Sequence, residues 1–142
     1  MIQHEVTIHL NKPVEQVFAF LTDTSKLSTW QSNLIKSETL TEGPLRTGSR
    51  FREVRRINNK EEEIQAEITA MEPNKRLETK TITKPEAMVS YVLSPEQEGT
   101  RLSYKFVLIT NGPMRLMEPI MASAIKKGSE ADFETLKRML ET

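Results

Sequence analysis

The sequence predicts an α+β fold in which one long helix covers one antiparallel sheet, and three observations carry that prediction. Residues 113–142 hold the only extended run with helical spacing. Met117, Ile120, Met121, Ala124, Ile125, Gly128, Ala131, Leu136, Met139 and Leu140 recur there at intervals of three and four, while Lys126, Lys127, Glu130, Glu134, Lys137 and Arg138 fill the other side. Residues 34–110 read instead as successive strands with turn signals between them. One short helical stretch precedes them. One helix must therefore cover one sheet, and whether side chains or a ligand fill the enclosed volume is the functional question.

The first element is a strand. Ile2, His4, Val6, Ile8 and Leu10 alternate with Gln3, Glu5, Thr7 and His9, the pattern of a half-buried strand. Asn11 then offers a side-chain cap and Pro13 a fixed first-turn dihedral. Val14–Leu21 is expected as a short helix with Val14, Val17, Phe18 and Leu21 inward. Asp23–Trp30, rich in Ser and Thr, reads as a second short helix or a loop, ending at the only tryptophan.

Turns set the register of the middle. A two-residue turn at Asn58-Asn59, where Asn tolerates positive φ, opposes Phe51 to Ala66, Glu53 to Ile64 and Arg55 to Glu62 on one face. The other face then opposes Arg50 to Glu67, Arg52 to Gln65 and Arg56 to Glu61, polar and largely charge-paired, and so faces water. A turn at Pro73-Asn74 sets Ile68 opposite Thr79 and Ala70 opposite Leu77. A turn in Glu96-Gln97-Glu98-Gly99 pairs Tyr91 with Tyr104 and keeps Val89, Leu93, Leu102, Phe106 and Leu108 on that same inner face. Loops are expected at 42–49 and 83–86, and no repeat or linker interrupts the chain.

Composition bounds the rest. At 142 residues, with 37% apolar and 28% charged residues, the chain is one globular domain, residues 1–142. Lys plus Arg and Asp plus Glu are equal at 20 each, so no global field directs it to nucleic acid. The longest apolar run, Val17 to Leu21, is far short of a membrane span, and a cytosolic protein is expected. With no cysteine, there is no disulfide or thiolate chemistry. His4 and His9 fall on opposite faces of one strand and cannot share a metal; no cofactor is expected. No nucleophile elbow, dinucleotide-binding or phosphate-loop string is present.

Certain strings, in this order, carry a resemblance: Val6-Thr7-Ile8; Pro13 through Asp23 (PVEQVFAFLTD); Trp30; Gly48-Ser49-Arg50-Phe51-Arg52-Glu53; Ile68 through Leu77 (ITAMEPNKRL); Gly99 through Tyr104 (GTRLSY); and the closing Leu136–Glu141 segment. Together they span the chain, which resembles the START-like, birch-pollen-allergen-like superfamily and its polyketide cyclase/dehydrase-like group. The resemblance implies a helix-grip fold, a curved sheet of about seven strands wrapped around a long C-terminal helix, with an apolar cavity between them. Members include lipid and hormone binders and aromatase/cyclases.

On the predicted inner face, Phe51, Tyr91, Tyr104 and Phe106 supply bulk, whereas Ala66, Ile68, Ala70, Thr79 and, on the helix, Ala124 and Gly128 alternate with it or leave room. Either they interdigitate into a solid core or they line a cavity. Glu53 and Arg55 share the inward parity. Enclosed, they are polar anchors, and Glu53 a candidate base; otherwise both reach solvent. Met117 and Met121 offer a deformable apolar surface on the covering helix, and Pro119 marks a kink or the helix's true start. Gly128 implies a close helix–sheet approach, a bend or an accident. The resemblance sets Trp30 near the cavity mouth. Of the four arginines at Arg50, Arg52, Arg55 and Arg56, three face outward among glutamates, a solvated surface rather than an RNA site.

Three functions are open on these residues. One is a monomer or weak homodimer that binds a small hydrophobic molecule, a lipid, aromatic metabolite or polyketide-like compound, in the cavity. The second is a cyclase, dehydratase or aromatase using that cavity. The third is a protein-interaction module.

Overall fold

A computed structural model describes all 142 residues. The chain runs β1 (Ile2–Leu10), α1 (Val14–Thr22), α2 (Leu27–Trp30), β2 (Leu34–Thr39), β3 (Arg50–Ile57), β4 (Lys60–Glu72), β5 (Arg76–Thr81), β6 (Ala87–Glu96) and β7 (Gly99–Leu108). A 3₁₀ turn (Gly112–Met117) then leads into α3 (Glu118–Glu141). The seven strands form one antiparallel sheet in the order β1-β7-β6-β5-β4-β3-β2. This is the expected α+β helix-grip architecture. No helix is long and apolar enough to cross a membrane.

The turn chemistry explains the register. Asn58 and Asn59 both take positive φ, 53° and 64°, the two left-handed residues that a twist-matched hairpin needs. All six predicted β3–β4 pairs form, and Tyr91 lies opposite Tyr104. The β4–β5 hairpin departs from expectation in one respect. Ile68 opposes Thr79, but a bulge follows, so Met71 rather than Ala70 faces Leu77. Asn74, at φ 66°, sits in a three-residue loop between Glu72 and Arg76, and the extra residue is absorbed at the bulge. Met71 thereby packs against the core.

One helix expectation is corrected, and one of the two alternatives for Pro119, the true start of the helix, holds. The cap position of α1 is Pro13, with no side-chain cap. Asn11 lies too far upstream. Its backbone N–H donates to Glu141 at 2.8 Å and its side chain meets His9. The regular helix α3 begins at Glu118, with Pro119 in its first turn, where a missing N–H costs nothing.

The core is off-centre. Its fully buried members, Val17, Leu10, Leu102 and Leu136, join α1 and the second half of α3 to one end of the sheet. In α3 only Phe133 and Leu136 are buried. The first half of that helix has no fully buried residue, and an ideal Cβ at Gly128 would meet nothing within 4 Å, which removes the close-approach explanation for this glycine. With free space and helical backbone, Gly128→Ala is expected to raise stability by roughly 0.5–1 kcal/mol, read as a higher denaturation midpoint. The start of α3 is held instead by polar contacts. The Thr110 hydroxyl donates to Glu118 at 2.5 Å, which, with the Met1 ammonium, keeps that carboxyl below its ordinary range.

Candidate functional site

Curvature brings β3 across to face β6 and β7. On a flat sheet β3 and β7, four strands apart in order, would be separated by about 19 Å. Here the Arg55 guanidinium from β3 acts on both the Tyr91 and the Tyr104 phenols. The α2–β2 loop and Phe133 of α3 bridge from Arg55 on β3 to Tyr104 on β7, and a polar cluster forms at the β3 side of this face.

Arg55 organises that cluster. Its Nε donates to Glu53 Oε1 at 2.9 Å, with Nη2 2.9 Å from the same oxygen, Nη1 to Asn33 Oδ1 at 2.7 Å and Nη2 to Gln31 Oε1 at 2.7 Å. The Glu53 side chain is only 12% exposed and that of Arg55 20%. Both charges are therefore largely buried and paired with each other rather than open to solvent. Gln31 and Asn33 belong to the α2–β2 loop, which α3 fixes in turn through Asp132, whose carboxylate accepts from the Ser32 N–H at 3.1 Å.

Aromatic rings run from this cluster into the core. Tyr91 lies 5.4 Å from Tyr104, Tyr104 4.7 Å from Phe133, and Phe133 5.5 Å from Trp30. These spacings are those of tilted aromatic pairs. His4 presents its ring to Tyr104 at 6.5 Å. Burial pushes the Tyr104 phenol up to about 12, against a smaller downward pull from Ser129 and Arg55. It raises Tyr91 as well, with Tyr104 adding to the rise and Arg55 opposing it.

A pH dependence follows with a definite sign. An unfolded phenol loses its proton near the ordinary value of 10, whereas folded Tyr104 holds it to about 12. Stability is complete below pH 10 and declines as pH rises through that window. Because these are the only two tyrosines, phenolate absorbance should appear late in an alkaline titration. A transition near the ordinary value would show the hydroxyls open to water.

Most of the predicted site residues meet on this face. Phe51, Glu53, Arg55, Thr79, Tyr91, Tyr104 and Phe106 are all partly buried on the inner parity, and Met121 approaches from α3, likewise partly buried. Ala66 and Ile68 lie deeper, 5% and 3% exposed, as floor. Trp30 is 3% exposed and packs on Phe133, so it closes the inner end of the aromatic run instead of lining a mouth. Met117 and Ala124 are exposed on the solvent side of their helix and do not join the others.

Sequence reasoning missed four contributors. Gln31 and Asn33 sit in a loop without periodicity. Ser129 and Asp132 interrupt the apolar pattern of α3, yet with Phe133 and Leu136 they form its true inner face. Their spacing of three, one and three was the available signal. His4 shares no metal with His9, but its Nε2 is buried without a partner, as are Trp30 Nε1 and Ser37 Oγ, the last directly across from Glu53. Buried polar atoms without partners are uncommon and mark places where a ligand or water completes the bonding. No group of three or more His, Asp or Glu side chains is placed to hold a metal.

Two recesses flank the concave face. One, of about 490 Å³, separates α3 from β1 between Val6, Ile8, Lys127, Glu130, Phe133 and Lys137. The other, of about 390 Å³, lies between the β5–β6 loop and the 3₁₀ turn, at Lys84, Ile109 and Met114.

Residues 1–141 match the family described as polyketide cyclase / dehydrase and lipid transport. Among solved structures, the chain is similar to TTHA0849 from Thermus thermophilus (TM-score 0.82, 16% identity, covering 97% of this chain and 96% of that one). It is equally similar to a START superfamily protein from Mycobacterium smegmatis (TM-score 0.82, 13% identity, 98% and 97% covered). MLL2253 from Mesorhizobium loti follows (TM-score 0.74, 23% identity, 97% and 96% covered). No curated protein matches the chain.

Proposed function

Because the chain belongs to the polyketide cyclase / dehydrase and lipid transport family, we propose that it binds a small, largely apolar molecule between the sheet and the first half of α3. The observation that carries this reading is the unequal packing of α3, fully buried at Phe133 and Leu136 but with only partly buried residues, Met121 and Ile125 among them, on the inner side before them. Phe51, Tyr91, Phe106 and Met121 supply the apolar wall. Glu53, Arg55 and the two phenols orient a polar group of the guest, and His4 Nε2 and Ser37 Oγ are further points at which it can bond.

The test is native mass spectrometry of gently purified protein, together with Trp30 emission on titration with fatty acids, sterols and aromatic ketones. A copurified mass or saturable change, lost in Tyr104→Trp where extra bulk fills the space, is the expected result. An empty protein that no compound perturbs would overturn the reading.

A second reading draws on Glu53, a largely buried carboxylate paired with Arg55 on the same inner parity as Phe51. Such a group acts as a base toward a polyketone held in the cavity, with positioning supplying much of the rate. Glu53→Gln should then keep binding and lose turnover of a poly-β-ketone thioester, whereas a simple binder shows no turnover in either form.

A further inference from the structure

The 3₁₀ turn and the first half of α3 carry an apolar stripe on their solvent side. Leu116 is 84% exposed, Ile120 66% and Met117 48%, with Ala124 exposed one turn further on. Ile120 and Ala124, four residues apart on α3, share a face, and the exposed Leu116 and Met117 precede them in the 3₁₀ turn. Apolar side chains scattered singly over a surface need no explanation, but an aligned row of large ones does.

The charge along this segment is mostly positive. Arg115, Lys126 and Lys127 are exposed on it, and the adjoining recess at Met114 is lined by Lys84 and by Glu86, which is paired with Lys80. The single carboxylate between residues 112 and 127, Glu118, is turned to Thr110 and the Met1 ammonium. Further along α3 the sign becomes mixed, with Glu130 and Glu134 beside Lys127 and Lys137. The chain as a whole is neutral, so this is a local asymmetry.

A solvent-facing apolar ridge bordered by cations matches a helix that lies in the headgroup region of an anionic bilayer. A second copy of this chain fits less well, because a two-fold contact would set like-charged borders against each other. We propose that residues 115–127 dock the protein on an anionic lipid surface, with Leu116, Met117 and Ile120 immersed and Arg115, Lys126 and Lys127 at the phosphates. The half of α3 without a fully buried residue is then the part that meets the bilayer.

Cosedimentation tests this without any cavity ligand, so its outcome is independent of the binding reading. Vesicles of equal parts phosphatidylcholine and phosphatidylglycerol are compared with phosphatidylcholine alone. The protein should pellet with the anionic vesicles and much less with the neutral ones, with affinity falling as salt rises. Lys126→Gln and Lys127→Gln should each weaken binding roughly fivefold. Leu116→Ser with Ile120→Ser should weaken it at least about tenfold and leave the circular dichroism and denaturation midpoint unchanged, since both side chains are exposed. The proposal is overturned if the wild type stays in solution with both vesicles, or if the serine variant pellets as well as the wild type. It is overturned equally if light scattering shows a dimer that the serine variant splits.

Discussion

Arg55→Met should destabilise the protein by roughly 3 kcal/mol, read as a lower midpoint in urea. The guanidinium supplies the only counter-charge bonded to Glu53 and also serves the oxygens of Gln31 and Asn33. Removing it strands a carboxylate that is 12% exposed, and breaking such a pair from one side costs about 3–5 kcal/mol; partial exposure of Arg55 favours the lower end. Replacing both partners, Glu53→Gln with Arg55→Met, should recover most of the loss, because no buried charge is then left alone. The interaction energy from that cycle separates a coupled pair from two independent side chains. A single variant within about 0.5 kcal/mol of the wild type would show that solvent screens the pair, and the proposed polar anchor would fail with it.

The second large effect lies far from the cavity. Gly99 follows the β6–β7 turn where β1 ends, and a Cβ built there falls 2.1 Å from the Leu10 carbonyl oxygen. That neighbour is backbone, so no rotamer change relieves the clash. Gly99→Ala must separate β7 from the end of β1 beside Leu10, which is fully buried, and a loss of about 3 kcal/mol or more is expected from overpacking at such a site. Gly128→Ala is the natural control, being the same substitution with open space around it. If both alanine variants behave alike in denaturation, the close approach at Gly99 is not as described.

The fold was largely legible because its signals are local. Asn58-Asn59 fixes a register by its dihedrals alone, and one correct register propagates inner and outer parity along two strands. The bulge after Ile68 was not legible, since a single extra loop residue at Asn74 is absorbed at a distance within the strand. The site was legible on the sheet and much less so on the helix. An amphipathic reading assigns apolar residues to the inside, but at Ser129 and Asp132 the inside of α3 is polar because it faces Arg55 and the phenols. Periodicity therefore selects Met117 and Ala124, which face water. Gln31 and Asn33 act through contacts between residues more than twenty apart, which no local pattern encodes.

The uneven seating of α3 also divides the molecule energetically. Its second half is anchored by Phe133 and Leu136, so releasing it disrupts the core itself. Its first half has no fully buried residue and is tethered near Glu118 by two polar contacts, so detaching it exposes little that water does not already reach. Amides there belong to the class that exchanges through small local fluctuations, whereas those near Leu136 report on global unfolding. Exchange that is faster along residues 118–128 than near Leu136 is the expected result, and with it the covering element can free its near end while the rest of the native state stays intact.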